Sequence, residues 1–179
     1  MKGRRDLEKI FRSHSFDNFK WINPKDIVVS QWVRMKCVFG CDNFGNGACC
    51  PPNIPPVDEC RRFFKEYKEA VIFHVEKKLD KVKDGYDWSK SVNKRFMDME
   101  REVFLAGNEK AFLMNMSPCK ICKDCAKSRE DCKNKERARP TAEAFAVDVY
   151  STARKAGYPI EVLYDFKQKM NRYAILLMR

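Results

Sequence analysis

The sequence predicts a single α/β domain over residues 1–179, with a mixed sheet of about five strands flanked by helices. Short apolar, β-branched segments alternate along the chain with longer stretches of helical periodicity. A length of 179 residues suits one domain with a sizeable core. Strand–helix–strand repeats favour right-handed crossovers, so we expect most of the sheet to be parallel.

The predicted strands share apolar alternation and β-branched content. They cover residues 26–35, 70–76, 110–116, 159–164 and 172–178. A short polar segment joins the last two, which is typical of a hairpin. We therefore expect one antiparallel pair in the sheet, which makes it mixed.

Helical periodicity predicts an amphipathic helix at the N-terminus and three further helices. These cover residues 57–68, 89–106 and 141–156. The last of them has Pro140 near its start and Gly157 just past its end, as helix boundaries often do.

The composition indicates a cytoplasmic protein with metal-binding or redox cysteines. The start of the chain is charged and does not resemble a secretion signal, and no apolar run approaches the ~18 residues that span a bilayer. Nine cysteines are an odd number, so a closed disulfide framework would leave one over. In a reducing compartment, clustered thiols are more often metal ligands or redox groups than disulfides.

The later cysteine group has the spacing C-x2-C-x2-C-x6-C. It consists of Cys119, Cys122, Cys125 and Cys132. The C-x2-C-x2-C run directs three thiolates inward from one turn, as in bacterial ferredoxins, and favours an iron–sulfur cluster. Zinc and reduced structural or redox thiols are the alternatives. Neither of the two histidines is near a cysteine run, which excludes a Cys2His2 finger.

The earlier group lies in the run KCVFGCDNFGNGACCPP and extends to a cysteine ten residues after the second cysteine of the CC pair. Its members are Cys37, Cys41, Cys49, Cys50 and Cys60. The glycines permit the tight turns that wrapping an inorganic core requires, although a structural turn with buried thiols is the alternative. Both cysteine loops follow a predicted strand and precede a predicted helix. If those strands are parallel, the two groups share one edge of the sheet.

Together the motifs KC-x3-C-x2-FG-x4-CPP and C-x2-C-x2-C…C…RP-x-x-EA-x-x-VDV resemble an uncharacterised family of cysteine-rich predicted metal-binding proteins. It is a domain-of-unknown-function family from anaerobic archaea and bacteria, and the resemblance covers about residues 28–160. It implies that RPTAEAFAVDV opens a helix behind the second site, although Thr141 and Ala142 stand where the pattern has Ser and Met. It also implies one site with Cys37, Cys41 and Cys50 and another with Cys119, Cys122, Cys125 and Cys132.

The cysteines Cys49 and Cys60 lie outside that pattern, so the first site is completed by Cys60, by Cys49 or by an open position. The candidate metal ligands are therefore Cys37, Cys41, Cys50, Cys60, Cys119, Cys122, Cys125 and Cys132. No catalytic residue is assigned.

These observations predict an iron–sulfur protein with two [4Fe–4S] clusters that serves electron transfer or redox support of a partner enzyme. One alternative is an iron–sulfur enzyme with an open-coordination cluster at Cys37, Cys41 and Cys50. Another is a zinc-stabilised module that binds nucleic acid or protein. The net charge of +11 and the basic residues around the second group favour an acidic redox protein as partner. Nucleic acid is the weaker reading, because no recognised nucleic-acid motif accompanies the charge.

Overall fold

A four-stranded antiparallel sheet forms the centre of the described part of the chain. The computed structural model describes residues 3–79, 81–165 and 167–179. The strands are β1 (Phe19–Ile22), β2 (Glu69–Lys77), β3 (Phe112–Met114) and β4 (Met170–Met178). Their order across the sheet is β1-β2-β4-β3, and every neighbouring pair is antiparallel.

Five α-helices and two short 3-10 turns surround the sheet in the described ranges. The helices are α1 (Arg4–Ser13), α2 (Gln31–Gly40), α3 (Val57–Phe64), α4 (Val82–Leu105) and α5 (Val149–Lys155). The 3-10 turns cover Pro24–Asp26 and Glu143–Phe145. No helix among the described residues is both long and apolar enough to cross a membrane.

Both faces of the sheet are covered by helices. Helices α1 and α4 pack on one face, where Phe11 and Phe96 meet alternate residues of β2 and β4 such as Phe73. Helices α3 and α5 pack on the other face, where Phe64 meets residues such as Ile175. Alternate side chains of a strand point to opposite faces, so the continuous runs at residues 70–74 of β2 and 173–178 of β4 are buried.

The prediction of a mostly parallel sheet was wrong, for a physical reason. Near-continuous apolar runs indicate that both faces of a strand are buried, which is commonest in parallel sheets. Here the helical layers bury both faces of an antiparallel sheet instead. Strands β2 and β3 do run parallel to each other, because each is antiparallel to β4. However, β4 lies between them, so the crossover through α4 skips one position.

The predicted strand at residues 26–35 was also wrong. Its first residue ends a 3-10 turn, Val29 forms an isolated bridge with Val147, and α2 begins at Gln31. The β-branched residues are therefore extended over only a few positions. The missed strand is β1, whose four residues FKWI were too few to show a periodic pattern.

Two C-terminal predictions need correction as well. Residues 159–164 form no strand, and Tyr164 is 92% exposed, so the predicted hairpin is absent. The predicted helix at 141–156 is interrupted, because Ala146 adopts a left-handed conformation with φ of 58°. Helix α5 then starts after Asp148, whose Oδ1 accepts a hydrogen bond from the Ser151 backbone N–H at 3.0 Å, as an N-cap does.

The remaining predicted elements were confirmed with shifted ends. The N-terminal helix is α1, residues 57–68 give the shorter α3, and residues 89–106 give α4, which starts seven residues earlier. The strands predicted at 70–76, 110–116 and 172–178 correspond to β2, β3 and β4.

Candidate metal centre

The two cysteine loops are in contact at one end of the sheet. The backbone N–H of Ala48 donates to Cys125 Sγ at 3.4 Å, and Asn53 Nδ2 donates to the Lys127 carbonyl at 2.6 Å. The expected proximity is therefore observed. The route differs from the expected one, because the first loop follows helix α2 and only the second follows a strand, β3.

Six thiols line one cavity between the loops, which we call the six-cysteine cavity. Its volume is about 240 Å³. Its cysteines are Cys49, Cys50, Cys119, Cys122, Cys125 and Cys132. Four of these form the later sequence group, and Cys49 and Cys50 come from the earlier one. The C-x2-C-x2-C-x6-C loop thus wraps one volume together with residues of the first loop.

Several sulfur atoms in this cavity accept hydrogen bonds from nitrogen. Asn134 Nδ2 donates to Cys122 Sγ at 3.0 Å, and Arg129 Nη1 donates to Cys49 Sγ at 3.7 Å. The backbone N–H of Ala48 supplies a third such contact, to Cys125. N–H donors around sulfur stabilise thiolates and tune the potential of a bound centre.

Cys119 is the most acidic thiol of this cavity for which a shift is resolved. A hydrogen bond from the Cys49 thiol lowers the pKa of Cys119 to about 6, and backbone N–H groups of Ile121 and Arg139 act in the same direction. That hydrogen bond, together with burial, raises the pKa of Cys49. We therefore expect the first proton of this pair to leave from Cys119.

We predict that Cys119 of the metal-free, reduced protein reacts with iodoacetamide at pH 7 much faster than Cys49. A thiol with a pKa near 6 is mostly thiolate at pH 7, and the thiolate is the nucleophile. Mass spectrometry of timed samples measures the two rates. In the Cys49→Ala variant the Cys119 reaction should slow, because its stabilising donor is gone. Equal rates at the two residues would contradict the assignment.

A second, smaller cavity, which we call the three-cysteine cavity, adjoins the first. It has a volume of about 190 Å³ and is lined by Cys37, Cys41 and Cys50, together with Glu143. Cys50 lies in the walls of both cavities. Burial, and then the neighbouring cysteines Cys41, Cys37, Cys119 and Cys125, raise the pKa of Cys50 to about 11. Repulsion between neighbouring thiolates thus disfavours their ionisation, and a bound cation would neutralise part of that negative charge.

Helix α2 and the 3-10 turn at Glu143–Phe145 position the three-cysteine cavity. Arg34, one turn before Cys37 on α2, donates through Nη2 to the Ala144 carbonyl at 3.0 Å and to the Pro55 carbonyl at 3.2 Å. Burial raises the pKa of Cys37, and Cys41 acts in the same direction, while the Arg34 charge opposes them. Arg34 therefore ties α2 to both neighbouring segments beside the cavity.

Sequence reasoning missed the position of Glu143. The RPTAEAFAVDV segment was expected behind the second site, but Glu143 lines the three-cysteine cavity with Arg172 and Thr141. Partial loss of hydration by the surrounding protein raises the pKa of the Glu143 carboxyl group, although the residue remains exposed to solvent. The three-cysteine cavity therefore carries one carboxyl group beside its thiols.

Cys60 and Cys49 occupy very different surroundings. Cys60 is fully buried on α3 in the apolar layer with Ile27 and Phe64, and its thiol donates to the Pro55 carbonyl at 3.4 Å. Cys49, which the motif pattern left out, lies instead in the six-cysteine cavity. The sequence analysis considered Cys49 only as a possible ligand of the first site, whereas Cys49 and the adjacent Cys50 both line the six-cysteine cavity.

Replacing Cys60 with alanine should leave the metal content unchanged and lower the free energy of unfolding by about 1 kcal/mol, the cost of one methyl-sized group in a core. Metal analysis and urea unfolding of the reduced protein measure the two quantities. Loss of metal in Cys60→Ala would make this residue a ligand and contradict a packing role.

In the described part of the chain, no three His, Cys, Asp or Glu side chains are arranged around the position of a single metal ion. The thiols are distributed around two cavities instead.

The family of the chain is given by comparison with family models. Residues 20–178 match the model described as predicted metal-binding protein (DUF2284). The chain belongs to this family. The resemblance inferred from the cysteine motifs is thereby confirmed. The DUF2284 match includes both cysteine loops and the whole sheet except Phe19, the first residue of β1. Comparison with curated proteins gave no match, and comparison with solved structures gave none either.

Proposed function

We propose that the protein binds two [4Fe–4S] clusters and transfers electrons for a partner enzyme. The observation that carries the proposal is the pair of adjoining cavities lined by cysteines, with Cys50 in the walls of both. Two clusters held this way would lie close together, and closeness favours electron transfer between them. When bound, such clusters supply one-electron redox chemistry.

The donor chemistry fits iron–sulfur clusters. The sulfur-rich six-cysteine cavity presents thiols from several directions, with N–H donors from Asn134 and Ala48 behind them. A cluster is ligated at several irons, so its thiolates surround a volume. In a four-thiolate zinc site, by contrast, every sulfur lies about 2.3 Å from one ion. Thiols that surround a cavity therefore favour an iron–sulfur cluster as the bound group and disfavour a single zinc ion.

The proposed ligands follow from the cavities and the motif spacing. The second cluster would take Cys119, Cys122, Cys125 and Cys132, all within one loop. The first would take Cys37, Cys41 and Cys50. Cys49 would donate a hydrogen bond to Cys119 from outside the ligand set, and Cys60 would remain a packing residue.

The surface around the second loop supports an acidic partner. Lys123, Lys127 and Lys133 are exposed on this loop. By contrast, Arg137 pairs with Asp98, and Arg139 pairs with Glu100. The three exposed lysines would attract a negatively charged redox protein and speed its association at low salt.

The test is electron paramagnetic resonance of the anaerobically prepared, dithionite-reduced protein. Two adjoining reduced clusters should give a spectrum broadened by magnetic interaction. The interaction should disappear in Cys119→Ala, which is designed to lose one cluster, and persist in Cys60→Ala. A wild-type spectrum that equals the sum of two isolated clusters would contradict the adjoining arrangement. The absence of any signal, with no colour, would remove the iron–sulfur function.

A second candidate function is an iron–sulfur enzyme with an open coordination position. The observation that favours it is the three-cysteine cavity, which offers three thiols and the Glu143 carboxyl group. An iron without a fourth thiolate would act as a Lewis acid toward a small ligand. Cyanide or an added thiol should then perturb the spectrum of one cluster only, and an unchanged spectrum would count against this function.

A further inference from the structure

The three-cysteine cavity has fewer thiols than a [4Fe–4S] cluster has irons. Among the described residues, the thiols that line it are those of Cys37, Cys41 and Cys50. The two cysteines that the motif pattern leaves over lie elsewhere. Cys60 is fully buried in the apolar layer, and Cys49 lines the six-cysteine cavity. A fourth ligand at this cavity must therefore come from another kind of side chain or from solvent.

Glu143 supplies the carboxylate of this cavity. No other acidic side chain is found among the described residues that line it. The charge of Glu143 also reaches Cys37: burial and then Cys41 raise the pKa of that thiol, Arg34 opposes them, and Glu143 raises it further. Carboxylates are common ligands of iron in proteins. The donor chemistry of Glu143 therefore suits an iron that no thiolate binds.

Hydrogen bonds hold the 3-10 turn that carries Glu143 beside α2. Thr141 Oγ1 accepts the Ala144 backbone N–H at 3.1 Å. The Ala144 carbonyl accepts Arg34 Nη2 at 3.0 Å, and Arg34 lies one turn before Cys37 on α2. The backbone of Glu143 is thus fixed relative to the helix that carries one of the thiols. A donor that its surroundings hold in place loses less conformational entropy when it binds a metal.

The Glu143 carboxylate forms no ion pair with the described residues. Arg172 lines the same cavity, but its Nη2 donates to Met170 Sδ at 3.9 Å, and no nitrogen of Arg172 lies within ion-pair distance of Glu143. Loss of hydration raises the pKa of the Glu143 carboxyl group, whereas its own backbone N–H and the Thr141 hydroxyl lower it by hydrogen bonding. A carboxylate has about four acceptor positions, so these two donors leave others free. A cationic cluster core would offset the repulsion between this carboxylate and the neighbouring thiolates.

We propose that Glu143 is the fourth protein ligand of the first cluster and binds the iron that Cys37, Cys41 and Cys50 leave without a thiolate. The inference rests on the proposed function and makes its first site more specific. It differs from the open coordination position of the second candidate function, at which water or a small ligand would bind. The first cluster would then have three thiolates and one carboxylate, whereas the second would have four thiolates.

Mössbauer spectroscopy of the full chain, loaded anaerobically with the Mössbauer isotope of iron, tests the inference. An iron with an oxygen ligand has a larger isomer shift than an iron bound by sulfur alone. About one-eighth of the iron in the wild type should therefore form a distinct component. In Glu143→Gln this component should change its shift or be lost with its iron, because an amide is a poor ligand. In Glu143→Cys it should merge with the rest, because a thiolate then binds that iron.

The matched control is Asp42→Asn, at an exposed carboxylate next to Cys41 that does not line the cavity, and its spectrum should equal that of the wild type. Glu143 is exposed as well, so its variants should fold, which circular dichroism checks. An unchanged distinct component in Glu143→Gln would overturn the inference and assign the position to water. A wild type with both clusters and no distinct component would overturn it too. Both results leave the proposed function intact, whereas a wild type without iron would overturn that function together with the inference.

Discussion

Replacing Cys119 with alanine should halve the iron content of the anaerobically purified protein, from about eight to about four irons per chain. Cys119 lines the six-cysteine cavity, and a hydrogen bond from the Cys49 thiol and backbone N–H groups lower its pKa. Removing it takes away one thiolate ligand, and the residues that line this cavity offer no other thiol than those of the remaining cysteines. Iron and acid-labile sulfide analysis, normalised to protein, measures the loss.

The matched control is Cys60→Ala, which removes a buried thiol from the apolar layer and should keep all the iron. Full iron content in Cys119→Ala would contradict the assignment of the second cluster to this loop. Loss of all the iron from Cys119→Ala, with the fold intact by circular dichroism, would mean that the two centres assemble only together.

Replacing Arg139 with alanine should lower the free energy of unfolding by about 3–5 kcal/mol. Arg139 Nε lies 2.8 Å from Glu100 Oε2, and the Glu100 side chain is only 5% exposed. Glu100 also accepts the Leu113 backbone N–H at 2.9 Å, at the edge strand β3. Removing the arginine leaves a buried carboxylate without its counter-ion, and this carboxylate connects α4, β3 and the end of the cysteine loop. Urea unfolding of the metal-free, reduced protein measures the change.

The control for this prediction is Arg137→Ala, two residues earlier on the same loop. Arg137 pairs with Asp98, and both side chains are about half exposed. Exposed pairs contribute about 0–1 kcal/mol, so this variant should unfold almost as the wild type does. Equal losses in the two variants would show that burial of the pair is not what stabilises this junction.

The sequence predicted the elements whose signals are local. The strand AVIFHVE and the periodic helix at residues 89–106 both exist because their apolar patterns match the layers that they face. The parallel direction could not be predicted correctly, because burial of both faces has the same pattern in either direction. The segment 141–156 looked helical, but the bridge between Val147 and Val29 is a distant contact that its own residues do not reveal.

The candidate site was predictable in its cysteine groups but not in its three-dimensional grouping. The spacing of Cys119, Cys122 and Cys125 gathers thiols by local geometry alone. The contact between Ala48 and Cys125 joins residues 77 positions apart, and no periodicity encodes it. The different positions of Cys49 and Glu143 depend on how the two loops pack. For that reason the sequence offered Cys49 only as one of three ways to complete the first site, and it placed the segment that contains Glu143 behind the second site.

The most direct test of the central claim is the content of iron, acid-labile sulfide and zinc in protein purified without oxygen, together with its visible spectrum. Two [4Fe–4S] clusters predict about eight irons and eight sulfides per chain, with broad absorption near about 400 nm that dithionite bleaches. One or two zinc ions per chain without iron or colour would contradict the claim and would favour a zinc-stabilised binding module.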